Sequence, residues 1–168
     1  MRLKAVVAVA TGLVGLMGLM GLMGPMGLMG AGRTAYHLRK VNDSLYYLND
    51  WRLPYPVYRF ATGDVDGDGR EDALVGVVKR TRFHPEMGRR LFIFRQSGGK
   101  VRPLWLGSRL GGRLVDFRLT DGRIRSLEQT GPDRYMVAEY GWRDFCPEFR
   151  QYVVKDTDLT NAKNIFNL

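Results

Sequence analysis

The run Gly63-Asp64-Val65-Asp66-Gly67-Asp68-Gly69-Arg70-Glu71-Asp72 constrains this chain more than any other feature. It sets carboxylates at alternate positions around Gly67 and Gly69 and stops at an apolar stretch, Ala73-Leu74-Val75-Gly76-Val77-Val78. Hard cations take roughly six to eight oxygen ligands, and a D-x-D-x-D-G-x-x-D spacing gathers its acidic side chains, with one backbone carbonyl, round a single centre. The spacing therefore predicts a calcium loop with Asp64, Asp66, Asp68, Asp72 and the backbone of Arg70 as ligands, and with Glu71 pointing away from the ion. Clustered carboxylates repel one another and need a cation to converge. The alternative is an acidic, solvated turn without metal, because Asp and Gly are the commonest turn residues in any case.

A helical EF-hand is excluded. It requires a bidentate Glu at the last position of its loop and a helix on either side, whereas the corresponding residue here is Val75, inside a β-branched apolar run. Such a run predicts a buried strand, so the loop should join two β-strands. Lacking that bidentate ligand, the site should bind calcium with weak, extracellular-class affinity, a dissociation constant on the order of 10⁻⁴ to 10⁻³ M.

Residues 63–76 resemble the FG-GAP (VCBS-type) repeat of integrin α-subunit β-propellers and of many bacterial secreted proteins. In that family the loop binds calcium between two strands of a blade, which implies the same ligand roles for Asp64, Asp66, Asp68, Arg70 and Asp72. The chain carries one such loop where propellers carry several, and it is too short for a complete ring. Its remainder is similar to a group of small exported bacterial proteins with a single loop of this kind, a resemblance that implies no activity.

The N-terminus bears on compartment. Met1-Arg2-Leu3-Lys4 is a short basic region followed by Ala5-Val6-Val7-Ala8-Val9-Ala10, and no further charge appears until Arg33. This is the pattern of an export signal. The uncharged span 5–32 is also long enough to cross a hydrocarbon core of roughly 30 Å, so cleaved signal peptide and retained membrane anchor are both expected alternatives. Secreted, periplasmic or cell-envelope localisation follows, membrane-anchored if the signal is uncleaved. Within the span, glycine recurs every third residue from Gly12 to Gly30 with Leu-Met pairs between. Collagen is excluded because Pro25 is the single proline there, and a helical glycine stripe because three residues advance only about 300°. Expansion of a short repeat inside a tolerant apolar segment is the remaining reading.

Beyond residue 32 the chain is long enough for one domain with a core. We divide it into a signal or anchor (1–32), a β domain with the calcium loop (33–158) and a C-terminal tail (159–168). Cys146 is the only cysteine, so an intramolecular disulfide is excluded and the ion is expected to supply the stapling instead. Cys146 itself reads as a small buried apolar side chain.

The expected fold is all-β, an antiparallel meander with no sustained helical period. Short apolar stretches recur at 35–38, 45–48, 57–61, 73–78, 91–95, 101–106, 114–119, 124–127, 135–140 and 149–154. Hairpin-like connections fall at Gln96-Ser97-Gly98-Gly99, Asp121-Gly122 and Gly131-Pro132-Asp133. Residues 43–51 have room for a turn or two of helix. A partial β-propeller, a small barrel and a two-sheet sandwich all fit this pattern, and an open partial propeller would need an extra strand or a second copy, a homo-oligomer, to cover its edges.

Charge is the second clue. The net charge is +9, and without Arg2 and Lys4 there remain 24 basic against 17 acidic residues, or +7. Twenty of the 26 basic residues are arginine, whose planar fork suits phosphate and carboxylate. The densest cluster is the expected hairpin 79–90, where Lys79, Arg80, Arg82, Arg89 and Arg90 interleave with Phe83 and Met87. These five are the candidate ligand-binding residues, with a solvated face as the plainer alternative. A two-residue turn at Asp121-Gly122 would place Arg118 opposite Arg125, to be solvated, neutralised by Asp116 or bridged by an anion. The aromatics Tyr46, Tyr47, Trp51, Tyr55, Tyr58, Phe60, Trp105 and Trp142 serve a small core or a stacking surface for carbohydrate.

Together these point to an exported, calcium-stabilised, non-catalytic binding or adhesion module for an anionic or glycan partner of the envelope. The alternatives are a metal-dependent hydrolase and a self-assembling structural subunit. No catalytic residue is assigned: His37 and His84 lie in ordinary contexts, and an acid pair such as Glu128 and Glu139 has no spacing that fixes a separation.

Overall fold

The computed structural model describes residues 35–107 and 109–168. The expected signal or anchor, 1–32, lies outside them. Among the described residues the chain forms three antiparallel sheets, each from consecutive strands. The first is β1 (Leu38–Asn42), β2 (Leu45–Leu48) and β3 (Trp51–Leu53). The second is β4 (Val57–Gly63), β5 (Asp72–Lys79), β6 (Gly88–Ser97) and β7 (Lys100–Leu106). The third is β8 (Arg113–Thr120), β9 (Arg123–Gly131), β10 (Arg134–Arg143) and β11 (Cys146–Thr157), followed by helix α1 (Leu159–Asn167). The fold is thus an all-β antiparallel meander. None of the three sheets closes into a barrel.

The layering follows from the pleat. Successive strand residues face opposite sides, so a strand apolar at every position must be covered twice, and β5 is buried from Asp72 to Val77. Ala73, Val75 and Val77, with Phe92, Phe94 and Val101, pack on Leu48 and Leu53 of the first sheet. Leu74, Leu91 and Ile93 pack on Phe117, Ile124, Ala138 and Tyr140 of the third. The second sheet is therefore the middle layer. On the far side of the third, Leu127 and Val137 receive Ala162 and Phe166 of α1.

Most connections are those expected. Asp121 and Gly122 both take positive φ, at 49° and 70°, and Gly98 and Gly99 do likewise; these are the two-residue turns that match the twist of the flanking strands. Residues 43–51 hold β2 and a turn rather than helix. The short strand β3 pairs Tyr46 with Leu53 and Leu48 with Trp51, a pairing cut short by Pro54. The segment set apart as a tail contains α1. Asp158 caps it by accepting from Asn161 N, and Leu159, Ala162, Ile165 and Phe166 form its apolar stripe.

Arg118 does stand opposite Arg125, and the charges are resolved otherwise than expected. Arg125 pairs with Glu139 at 2.9 Å, Arg118 donates to the carbonyl of Phe166 at 2.9 Å, and Asp116 is taken by Arg59 of β4 in a two-pronged contact. Aromatic residues serve the core: Tyr46, Trp51, Tyr55 and Phe60 border the first core layer, and Tyr58, Trp105 and Trp142 the second. Cys146, expected to be buried, is half-buried at the start of β11.

Candidate functional site

The acidic loop joins β4 to β5 and is built by its own side chains. Asp64 accepts from Gly67 N at 2.7 Å and Gly69 N at 2.9 Å. Asp66 accepts from Asp68 N, and Asp68 from Arg70 N. These short-range bonds wind the chain into successive Asx turns. Gly67 and Gly69 sit at φ 79° and 77°, backbone that a residue with a Cβ adopts only with strain. Val65, 4 % exposed, turns inward to the core between the second and third sheets and pins the loop from below.

Asp64, Asp66 and Asp72 converge, each offering a carboxylate oxygen within 4.8 Å of the others. Among the described residues this is the one such acidic trio. Asp64 and Asp66 are half-buried, whereas Asp72 is 2 % exposed and anchors the loop's end by accepting from Val65 N at 3.1 Å. Burial, seconded by the charges of Asp66 and Asp68, pushes the Asp72 carboxyl up to about 6 against the pull of that hydrogen bond. A cation among these oxygens would relieve the repulsion that raises it. Asp68 is not part of the trio. Glu71 accepts from Thr62 Oγ1 at 2.8 Å, away from it. The oxygen-only donor set suits a hard cation such as calcium or magnesium.

The predicted ligand-binding residues surround the opposite end of β5, where the hairpin 80–87 is closed by reciprocal Thr81–His84 backbone bonds. The structure divides them. Lys79, Arg80 and Arg82 line a cleft of about 560 Å³ together with Trp51, Tyr55 and Phe83. There Lys79 donates to Tyr55 Oη at 3.0 Å and sits 4.2 Å from the centre of that ring, while Phe83 is 77 % exposed. Arg89 and Arg90 line a second cleft, of about 580 Å³, toward the third sheet. Arg89 is committed to structure, donating to the Val115 carbonyl and stacking on Tyr58.

The two acids considered for glycosidic chemistry lie on opposite faces of the third sheet. Glu128 shares the inner face with Ser126 and Tyr140 and accepts from both, as well as from Gly112 N. It is fully buried. Glu139 is on the outer face with Arg125, Arg123 and Gln151, which hold its carboxyl below the usual range, Gln151 foremost. Each is fully engaged by structural partners.

Comparison with protein-family models, with curated proteins and with solved structures returned no match to this chain. The FG-GAP resemblance therefore rests on residues 63–76 alone. Sequence reasoning missed Arg109 and Arg113, which meet Arg90 across the second cleft. They lie in a different segment of the chain, and no local pattern joins them to it.

Proposed function

We propose that this chain is an exported, non-catalytic β module, stabilised by calcium at its acidic loop, that binds an anionic or glycan component of the cell envelope. The observation that carries the reading is the convergence of Asp64, Asp66 and Asp72 within 4.8 Å at the junction of β4 and β5. Like charges gathered this closely, one of them buried, favour a divalent cation as the stabilising partner. The ion's role is to fix the start of the central strand. Two clefts bordered by basic side chains at that strand's other end supply the surface for an anion or glycan. The export signal expected in 1–32 supplies the compartment, where calcium at millimolar levels matches a weak site.

The test is thermal unfolding of the full chain with 10 mM calcium, with chelator, and with calcium on Asp64→Ala. A site of the expected affinity should add about 1.4 to 2.7 kcal/mol at that concentration, a rise of several degrees that Asp64→Ala abolishes. Equal melting points with calcium and chelator would reduce residues 64–72 to a solvated turn.

A further inference from the structure

Arg90 is an arginine placed where arginines are seldom left alone. It is 7 % exposed, and its Nε, buried, has no hydrogen-bond partner. Its two terminal nitrogens reach only backbone carbonyls, Nη1 to Arg89 at 3.3 Å and Nη2 to Glu86 at 3.2 Å. Among the described residues no carboxylate lies within ion-pair distance of it. A guanidinium cannot shed its proton to escape this, so a buried positive charge stands without a counter-ion, an arrangement that costs free energy unless something supplies the anion.

The surroundings add to the imbalance. Arg109, from the connection after β7, and Arg113, at the start of β8, line the same cleft of about 580 Å³. Burial, then the charges of Arg109 and Arg113, push the Arg90 guanidinium below its ordinary range; the exposed Glu86 carboxylate, also on the cleft wall, offsets this in part. Four arginines thus line one cavity; Arg89 is taken by the Val115 carbonyl, and the innermost, Arg90, keeps a nitrogen without a partner. Planar forks of this kind match the oxygens of a tetrahedral oxyanion, and their summed charge calls for a dianion rather than a single carboxylate. The cavity is far larger than a bare oxyanion and falls within the range of small-molecule sites.

We propose that the cleft walled by Arg90, Arg109 and Arg113 binds the phosphoryl group of a phosphomonoester, with the rest of the ligand lying along the hairpin wall formed by His84 and Pro85. The site rests on reading the chain as a binding module for an anionic partner and gives that partner its chemistry. The guanidinium groups of Arg90, Arg109 and Arg113 hold the phosphoryl oxygens. The apolar half of the cleft leaves the organic portion loosely specified.

The test is calorimetric titration of the full chain, in calcium-free buffer, with inorganic phosphate, glucose 6-phosphate and sodium acetate. Arg109→Gln/Arg113→Gln serves as the first variant, because both side chains are exposed and outside the core, and Arg90→Lys as the second. Both phosphates should bind, glucose 6-phosphate more tightly and acetate undetectably, and the double variant should lose about tenfold or more in affinity. Arg90→Lys, which keeps the charge and loses the fork, should lose affinity while its melting point stays near the wild-type value. Absence of phosphate binding, equal binding of acetate, or unchanged affinity in the double variant overturns the site. The calcium-induced rise in melting point is read separately on the same variants: its absence from the wild type would sink the metal loop and leave this result standing, and its persistence beside a failed titration would do the reverse.

Discussion

The two ends of β5 carry opposite charges and satisfy them in opposite ways. At the Asp72 end, Asp64, Asp66, Asp68 and Asp72 each accept a backbone N–H from within the loop. At the Lys79 end, Arg90 is buried with a nitrogen that meets nothing. The acidic loop is a local structure whose geometry is written by residues two to seven apart. The basic cleft is assembled from segments that meet only after sheets have stacked. Local motifs announce themselves in sequence, whereas tertiary ones leave as their trace an unbalanced charge that becomes visible once the burial of one residue is known.

The contrast can be broken by mutation. The largest effect is expected from Asp72→Ala, which removes a buried carboxylate that holds Val65 N and one arm of the acidic trio; it should cost about 2 to 3 kcal/mol in calcium, read as a fall in the denaturant midpoint. Next is Glu139→Gln. Because its partners Gln151, Arg125 and Arg123 depress the folded-state pKa, with Arg118 beside Arg125, the wild-type carboxylate contributes stability that is present above the unfolded value of 4.5 and lost as pH falls through the folded one. Melting points measured from pH 6 down to 3 should therefore fall more steeply in wild type than in Glu139→Gln. Arg90→Met should go the other way from Asp72→Ala. Replacing an unpaired buried charge by an apolar side chain of similar length is expected to raise stability by about 0.5 to 1 kcal/mol in anion-free buffer, and a marked loss of stability instead would mean that the cleft needs its guanidinium for folding. The smallest effect is that of Glu71→Ala, whose carboxylate engages Thr62 outside the trio. Its calcium-dependent rise in melting point should equal that of wild type; a loss of that rise would shift the register of the ion site by one residue.

Much of the fold was legible because it is local. The β-branched run after Asp72 implied a buried strand, and Asp121-Gly122 as a two-residue turn fixed the register that sets Arg118 opposite Arg125, while Gln96-Ser97-Gly98-Gly99 marked a connection whose turn proper is Gly98-Gly99. What escaped did so for identifiable reasons. The strand β3 has three residues, too few for any alternation to register. Helix α1 carries a detectable stripe and an Asp cap, yet it is nine residues long and earns its stability from Leu127 and Val137 rather than from its own propensity. Of the candidate site, a gathering of acidic side chains followed from spacing, for four carboxylates where the structure brings three together, Asp64, Asp66 and Asp72, without Asp68. The division of the basic cluster between two clefts did not, because it depends on where the first and third sheets dock against the second. Likewise the opposite facing of Glu128 and Glu139 follows from odd and even positions once β9 and β10 are paired, and from nothing in either strand alone.

The order of strands along the chain has a kinetic consequence. Each sheet closes within one contiguous stretch, so its hairpins form from neighbours and require little loop closure. The bonds between layers span far more chain: Tyr36 Oη, just ahead of β1, to the Phe94 carbonyl bridges 58 positions, and Arg59 of β4 to Asp116 of β8 bridges 57. A chain emerging amino-terminus first can therefore complete the first sheet, then the second, before the third exists, with stacking as the late step. Replacements at the Arg59–Asp116 contact should chiefly speed unfolding, whereas disruption of the Asp121-Gly122 turn should slow refolding.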